Sequence, residues 1–570
     1  MTRLLLIVCM CVVFVACGSG NNASTVSTPA TTAGTPQKDG PCETADARTT
    51  IDGRDTVCMR NSAGGLSWQV QTNAPPTPST DSATPRKDGP CETADARTTI
   101  AGVDAVCMRN SAGGLSWQVQ SGQSNNQPSG TPATMAQVGM ACDTPGQTVF
   151  ANELYVCKNG KWSYPVPGDL PIPGDGSKPD WYPSLDALSA QPEATCPNSD
   201  ITFTHSFLPV DQLDASIPYG AMIYDHVTPI DHAYIGIKAL QKAENARTEA
   251  DFLPVTAPAD GTIIQVGSLG SSTSHRVVIN HGCGVYTVYM VVNRLTGVLA
   301  SVAAQVESQS YVPLNQPIKA GEEFGQQRDN PLDFNVWASE HWLPGLANPL
   351  SYMYAESWKP YTADPTPFFT PEIATAFTNV MQRTSEPRWG KIDYDVAGSA
   401  SGNWFLQGTL GYSGRAISEY ANATAPIRGG QASDKKFYSA GHLTIAPHEV
   451  DTSKWVFSAG WWNDAAGDPR QAFLVIAEGQ KTPDQLTSAD GIVVYGLTDA
   501  RLQDAAGQPF NPPNPMAPRP IGYTLALGEP VWSVILQINS DGSLSLEFSP
   551  DLPHAVKITQ LSENKRTYQR

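Results

Sequence analysis

The sequence predicts a mainly β, multidomain, exported protein, and three observations predict it. Only 16% of the residues are charged while 48 glycines and 47 prolines punctuate the chain, a balance that suits short strands and turns better than long helices. Short β-branched and aromatic runs recur between Gly, Pro and Asp clusters through the second half of the chain. Near the N-terminus, a unit with two cysteines and a closing Trp is repeated. At 570 residues the chain exceeds what one core organises, so several domains are expected.

Residues 1–17 run from Arg3 through an apolar stretch, Leu4 to Val15, into Ala16 and Cys17. The stretch is too short for a membrane-spanning helix and reads as a secretory signal. It resembles a bacterial lipoprotein signal, which implies lipidation of Cys17 and a protein held at the extracytoplasmic face of a membrane, on the bacterial cell surface. The net charge of −18, with no run of Lys or Arg, excludes nucleic acid as a partner, because phosphate binding needs clustered cations.

Setting aside Cys9 and Cys11 in the signal and the lipidated Cys17, eight cysteines remain, an even number as export requires. Six form close couples, Cys42/Cys58, Cys91/Cys107 and Cys142/Cys157; Cys196 and Cys283 are left for each other or stay free. Residues 18–37, polar and without apolar period, form a disordered tether. Cys/Trp repeat 1 (38–71) recurs almost unchanged as repeat 2 (87–120), and repeat 3 (136–165) is a diverged copy. Units this small need a staple, and a disulfide closing such a loop contributes about 3 kcal/mol. Trp68, Trp117 and Trp162 are expected to pack on the disulfides; their alternative use is as sugar platforms. The stretches 72–86 and 121–135 leave the units as beads on a string, and 166–195 reads as a Pro-rich linker.

The region 196–360 is a β domain with three telling stretches. They are His226-Val-Thr-Pro-Ile-Asp-His232-Ala-Tyr234-Ile-Gly236, then Ala257-Pro-Ala-Asp-Gly261, then His281-Gly-Cys-Gly-Val-Tyr-Thr287-Val-Tyr289, followed by Leu332-Asp333-Phe-Asn-Val336. Together they resemble a zinc endopeptidase domain of the LytM/M23 type. The resemblance implies one zinc ligand at His232, another at the position of Gly236, the late His-x-His pair at Pro331 and Asp333, and a further His at Val291. Of these five, only His232 survives in kind. Gly, Pro and Val offer no donor, so the resemblance implies the fold without the family's hydrolysis. The expectation is a vestigial site in which His232 and Asp333 form a charge-assisted hydrogen bond. The alternative is an unorthodox zinc site built from His226, Asp231, His232 and Asp333. His281 reads as a turn residue.

Residues 361–389 contain a connecting helix with a capping signature at Thr370-Pro371-Glu372. From 390 to 570 seven or more short strands predict an all-β barrel or sandwich. Gly402-Asn-Trp404 resembles the Gly-x-Trp that opens a lipocalin barrel, a single tripeptide that leaves the barrel type open. His442, His448 and Glu449 are weighed as a second site against plain loop-end residues, and Trp455, Trp461 and Trp462 as a glycan platform against core aromatics. The reading is a surface lipoprotein that binds an envelope peptide, glycan or protein without cutting it. A zinc metallohydrolase and an adhesive or structural spacer are the rivals.

Overall fold

The computed structural model describes residues 138–570 apart from 152, 192–200, 224–225, 422–439, 461–469, 512–518 and 550–555, together with strand backbones at 48–51, 54–60, 66–70, 97–100, 103–109 and 115–119. The signal, Cys17, the tether, Cys42, Cys91 and the stretches 72–86 and 121–135 lie outside the described residues, as does Cys196. The chain divides into two compact units, 1–130 and 131–570. No described helix is long and apolar enough to cross a membrane.

In the first unit, each repeat is a three-stranded antiparallel sheet, Arg48–Ile51, Arg54–Arg60 and Leu66–Val70 in one, Arg97–Ile100, Val103–Arg109 and Leu115–Val119 in the other. Their registers are the same, and Cys58 stands opposite Trp68 as Cys107 stands opposite Trp117. Repeat 3, in the second unit, keeps the arrangement with Cys157 opposite Trp162 and a Cys142–Cys157 disulfide across 5.8 Å between Cα atoms. Opposed residues on an antiparallel pair share a face, so the sequence spacing alone puts Trp162 beside the sulfur bridge.

The second unit holds two large β bodies. The first is a sheet of β1 (Leu213–Ile217), β2 (Ala233–Ile237), β3 (Gly261–Ser271), β4 (Ser274–Asn280), β5 (Val285–Val292), β6 (Tyr311–Ile318) and β7 (Leu332–Ala338), in the order β1-β2-β7-β5-β4-β3-β6. A short strand, Thr362–Ala363, adds to β7 beyond the end of β2. Strand β7 shows why this sheet has two different faces. Leu332, Phe334, Val336 and Ala338 enter the main core, and the period of two sends Asp333, Asn335 and Trp337 to the other face. In the same way β5 sends Val285 and Tyr289 to the core and Tyr286 and Val288 to the opposite face.

That opposite face is covered by the chain's own earlier residues. Leu154, Tyr155, Tyr164, Leu170, Trp181, Tyr182 and Leu185 form one apolar cluster with Val278, Tyr286, Val288 and Trp337. Tyr182 donates to the Ser357 carbonyl at 2.7 Å, Tyr361 to Pro183 at 2.5 Å, and Tyr354 to Pro165 at 2.7 Å. Repeat 3 is therefore docked rather than a free bead, and 166–195 is a packed strap rather than a bare linker. The cause is the two aromatics, Trp181 and Tyr182, and the two leucines, Leu170 and Leu185, that this Pro-rich stretch brings, whose burial outweighs the freedom a linker would keep.

Helix α1 (Pro371–Val380) forms where the sequence places it, but Thr370 makes no side-chain cap and Pro371 at the first position presets the turn instead. Its Phe377 is fully buried in the main core, so the expected connecting helix is part of that core. The second body settles the choice between barrel and sandwich. It is a closed barrel of β8 (Gly402–Leu406), β9 (His442–Pro447), β10 (Trp455–Gly460), β11 (Arg470–Ile476), β12 (Ile492–Thr498), β13 (Trp532–Ile538), β14 (Leu544–Ser549) and β15 (Arg566–Gln569), each paired antiparallel with the next and β15 with β8. Closure leaves no exposed edge. Trp404, Leu443, Phe457, Val534, Leu546 and Tyr568 fill its interior, and the Arg570 guanidinium lies 3.9 Å from the centre of the Trp404 ring.

Tyr182→Ala is expected to destabilise the second unit by about 3–5 kcal/mol through the lost ring, and Tyr182→Phe by about 1 kcal/mol through the lost hydrogen bond. Urea titration followed by tryptophan fluorescence checks both. An unchanged midpoint for Tyr182→Ala would show the strap to be dispensable.

Candidate functional site

His232 precedes β2 and Asp333 lies second in β7, and the pairing of these strands sets Tyr234 opposite Asp333. The two predicted residues meet, with Nε2 of His232 3.6 Å from Oδ2 of Asp333. This is an ion-pair separation, longer than a hydrogen bond, which corrects the expected bond between them. The hydrogen bond of His232 runs the other way, from Nδ1 to Oδ1 of Asp231 at 3.1 Å. Asp231 Oδ2 accepts from Asn335 Nδ2 at 3.2 Å and from Trp358 Nε1 at 3.0 Å. Oδ1 of Asp333 and Oδ1 of Asn335 are buried with no hydrogen-bond partner. His226 stands edge-on to His232 with ring centres 5.7 Å apart.

Burial would raise the Asp231 carboxyl, but the His232 hydrogen bond and the Lys359 charge outweigh it and hold Asp231 ionised. Burial likewise disfavours a charged His232, and the Asp231 bond with the Asp333 charge overcomes it, leaving the imidazole above its ordinary value. Asp333 has no such support. Burial pushes its carboxyl up to about 7, against the pull of His232 and with the repulsion of Asp231 added. Lys359, 1% exposed, reaches Glu356 at 3.0 Å and the Tyr412 hydroxyl at 3.2 Å; these neighbours keep it charged despite burial.

A catalytic zinc needs three protein ligands and a position left for water. His232 and Asp333 supply two donors, and Asp231 is spent on His232, Asn335 and Trp358. Among the described residues no group of three His, Cys, Asp or Glu is placed to hold a metal ion. The backbone shapes two of these positions. A Cβ at Gly236 would stand 2.3 Å from the Ala215 carbonyl oxygen of β1, so the position that carries Asp in the family admits no side chain. Val291, where the family has His, sits at φ 55°, a left-handed conformation strained for a β-branched residue.

The remaining predicted residues are structural. The Asp260 carbonyl can only accept, so His281 Nδ1 donates to it at 3.0 Å while Nε2 meets the Thr287 hydroxyl at 2.8 Å, and burial lowers the imidazole to about 4. Cys283 is disulfide-bonded. His442 bonds the Tyr412 carbonyl at 2.9 Å, and His448 Nδ1 accepts the amides of Val450 and Asp451. One opens β9 and the other follows its end, on the order of 20 Å away, so they share no site. Glu449 stays beside His448 at 3.4 Å. Trp455 packs on the barrel interior, and Trp461 and Trp462 lie outside the described residues. Asn335 was within reach of sequence reasoning, since it shares a strand and a face with Asp333. Trp358, Glu356, Lys359 and Tyr412 come from loops that carry no motif.

No protein-family description and no curated protein sequence matches the chain. Among solved structures it is similar to that of Helicobacter pylori Csd3 from the hexagonal crystal, with 10% identity and a TM-score of 0.16. The match covers 25% of this chain and 31% of that one, so this chain spans about a third of that structure's length.

Asp333 binds its proton more tightly folded than unfolded, so it lowers stability as pH rises from about 4 through 7. Asp333→Asn removes that slope. Its stability relative to the parent is expected to grow by on the order of 2 kcal/mol between pH 5 and pH 8, read by denaturant titration at each pH. A constant difference would place the proton elsewhere. Restoring the family's residue with Gly236→Asp is expected to lower the thermal midpoint by several degrees and to release no peptidoglycan fragments, because the side chain has nowhere to go.

Proposed function

We propose that this chain is a bacterial cell-surface lipoprotein whose M23-like domain binds an envelope ligand, a peptidoglycan peptide or glycan, without cleaving it. The observation that carries the reading is the Gly236 backbone contact. A ligand position closed by its neighbouring strand supports binding without metal-assisted hydrolysis. The two unpartnered buried oxygens at Asp333 and Asn335 support a polar recess retained in the frame, since such groups are costly to keep with no partner. The lipoprotein-like signal with Cys17 and the polar stretch after it support a domain held at a membrane face.

The full chain without its signal is expected to bind soluble muropeptides by isothermal titration while releasing none from intact peptidoglycan, with zinc well below one per chain by metal analysis. A stoichiometric zinc that His232→Ala removes would replace the binding reading with a hydrolase. Absence of any muropeptide or glycan binding would leave a spacer. In the producing cell, Cys17→Ser is expected to move the protein from the membrane fraction to the soluble one; retention there would refute the anchor.

A further inference from the structure

Among the described residues, the groove face of the sheet carries a cation, Arg276, with no ion-pair partner within contact distance. Arg276, in β4, is half-buried, and its guanidinium lies 4.9 Å from the centre of the Trp358 ring and 5.6 Å from that of Trp337. These two indoles are stacked on each other with centres 5.3 Å apart. Arg276 Nε is buried with no hydrogen-bond partner, and Asp231, Glu356 and Tyr311 act on it only through space. Elsewhere in this domain arginines are paired: Arg294 with Glu249 at 2.6 Å and Arg328 with Asp329 at 2.8 Å.

The strand register builds a recess in front of Arg276. It stands opposite Gly267 of β3, and Gly267 stands opposite Tyr311 of β6, so Tyr311, Gly267 and Arg276 form one row on one face. Gly267 contributes no side chain, and the gap lies between an exposed ring and the guanidinium. Tyr311 is 51% exposed and Leu269, two residues along β3 on the same face, 46%. Polar anchor and apolar rim thus lie together on an otherwise acidic chain.

We propose that Arg276 anchors the free carboxylate of a peptide ligand, with the ligand's small apolar side chain lying over Gly267 against Tyr311 and Leu269. The assignment rests on the binding reading above and names its chemistry. A guanidinium backed by two rings presents its edge, which matches a planar carboxylate through two parallel hydrogen bonds. The nearby Asp231 and Glu356 charges make a dianionic phosphate the poorer guest. Gly267 bears no side chain and a Cβ there would already lie 3.4 Å from the Ser310 carbonyl oxygen, so a small side chain lying over it suits the position better than a large one.

The test uses the full chain without its signal and two forms of one muropeptide, with free carboxyls and with every carboxyl amidated, titrated by calorimetry and tryptophan fluorescence. The acid form is expected to bind about tenfold or more tightly than the amide form. Arg276→Gln is expected to erase that difference by lowering acid-form affinity to that of the amide form. Arg276→Lys, which keeps the charge and loses the planar fork, is expected to fall between. Equal binding of the two forms to the parent would overturn the assignment and leave the groove reading standing, and so would an Arg276→Gln chain that still prefers the acid. Failure of both forms to bind would overturn both. Inorganic phosphate competing as well as the dipeptide acid N-acetyl-Ala-Ala would overturn the carboxylate class.

Discussion

Asp231 lies where three parts of the chain meet, and its carboxylate accepts from His232 ahead of β2, Asn335 in β7 and Trp358 in the loop after it. An ionised carboxylate below the surface is costly unless its lone pairs are filled, and here the three donors fill them. Much of the site's geometry follows. His232 is turned so that Nε2 faces Asp333, and Trp358 is held where it stacks on Trp337 and backs Arg276. Burial, with the repulsion of the same charge added, leaves Asp333 holding its proton near neutrality while its neighbour does not. Two carboxylates a strand apart have opposite states because only one is given donors.

The cover over this face is as much part of the site as the residues beneath it. A sheet with one face in the main core leaves the other to be solvated, bound or packed. In this chain, repeat 3 and the strap through Trp181 and Tyr182 pack part of it. Tyr286 donates to Asp186 of the strap at 2.5 Å, a tie across a hundred residues. The outer wall of the barrel closes another side, with Asn403 donating to the Tyr352 hydroxyl at 3.1 Å and His442 to the Tyr412 carbonyl. Lys359 is the centre of that junction, kept charged by Glu356 and seated on the Tyr412 ring at 4.6 Å. What stays open is the stretch from His226 past Met290 to Arg276 and Tyr311, none of whose residues is fully buried.

Strand content was legible because alternation is written locally. Leu-Asp-Phe-Asn-Val-Trp-Ala can form a strand with only one division between core and groove, and the juxtaposition of His232 with Asp333 follows once β2 and β7 are neighbours. The cysteine spacing placed the disulfide in repeat 3 for the same local reason. The strap was illegible because prolines dominate its pattern and its aromatics have no period. Which nitrogen of His232 would be bonded was also illegible, because Asp231 is adjacent in sequence while its other donors come from 104 and 127 residues away.

The sequence by itself determined which residues are incapable of metal chemistry: Gly236, Val291 and Pro331 lack donors in any fold. It also determined a β frame, since period and turn chemistry act over a few residues. Only the tertiary structure decided that position 236 admits no side chain, through a β1 carbonyl occupying the space a Cβ would need. It alone decided that Asp231 is charged and Asp333 protonated near neutrality, and that Arg276 has no ion-pair partner in contact among the described residues. Such states depend on which distant groups arrive beside a buried charge, and no local pattern encodes that.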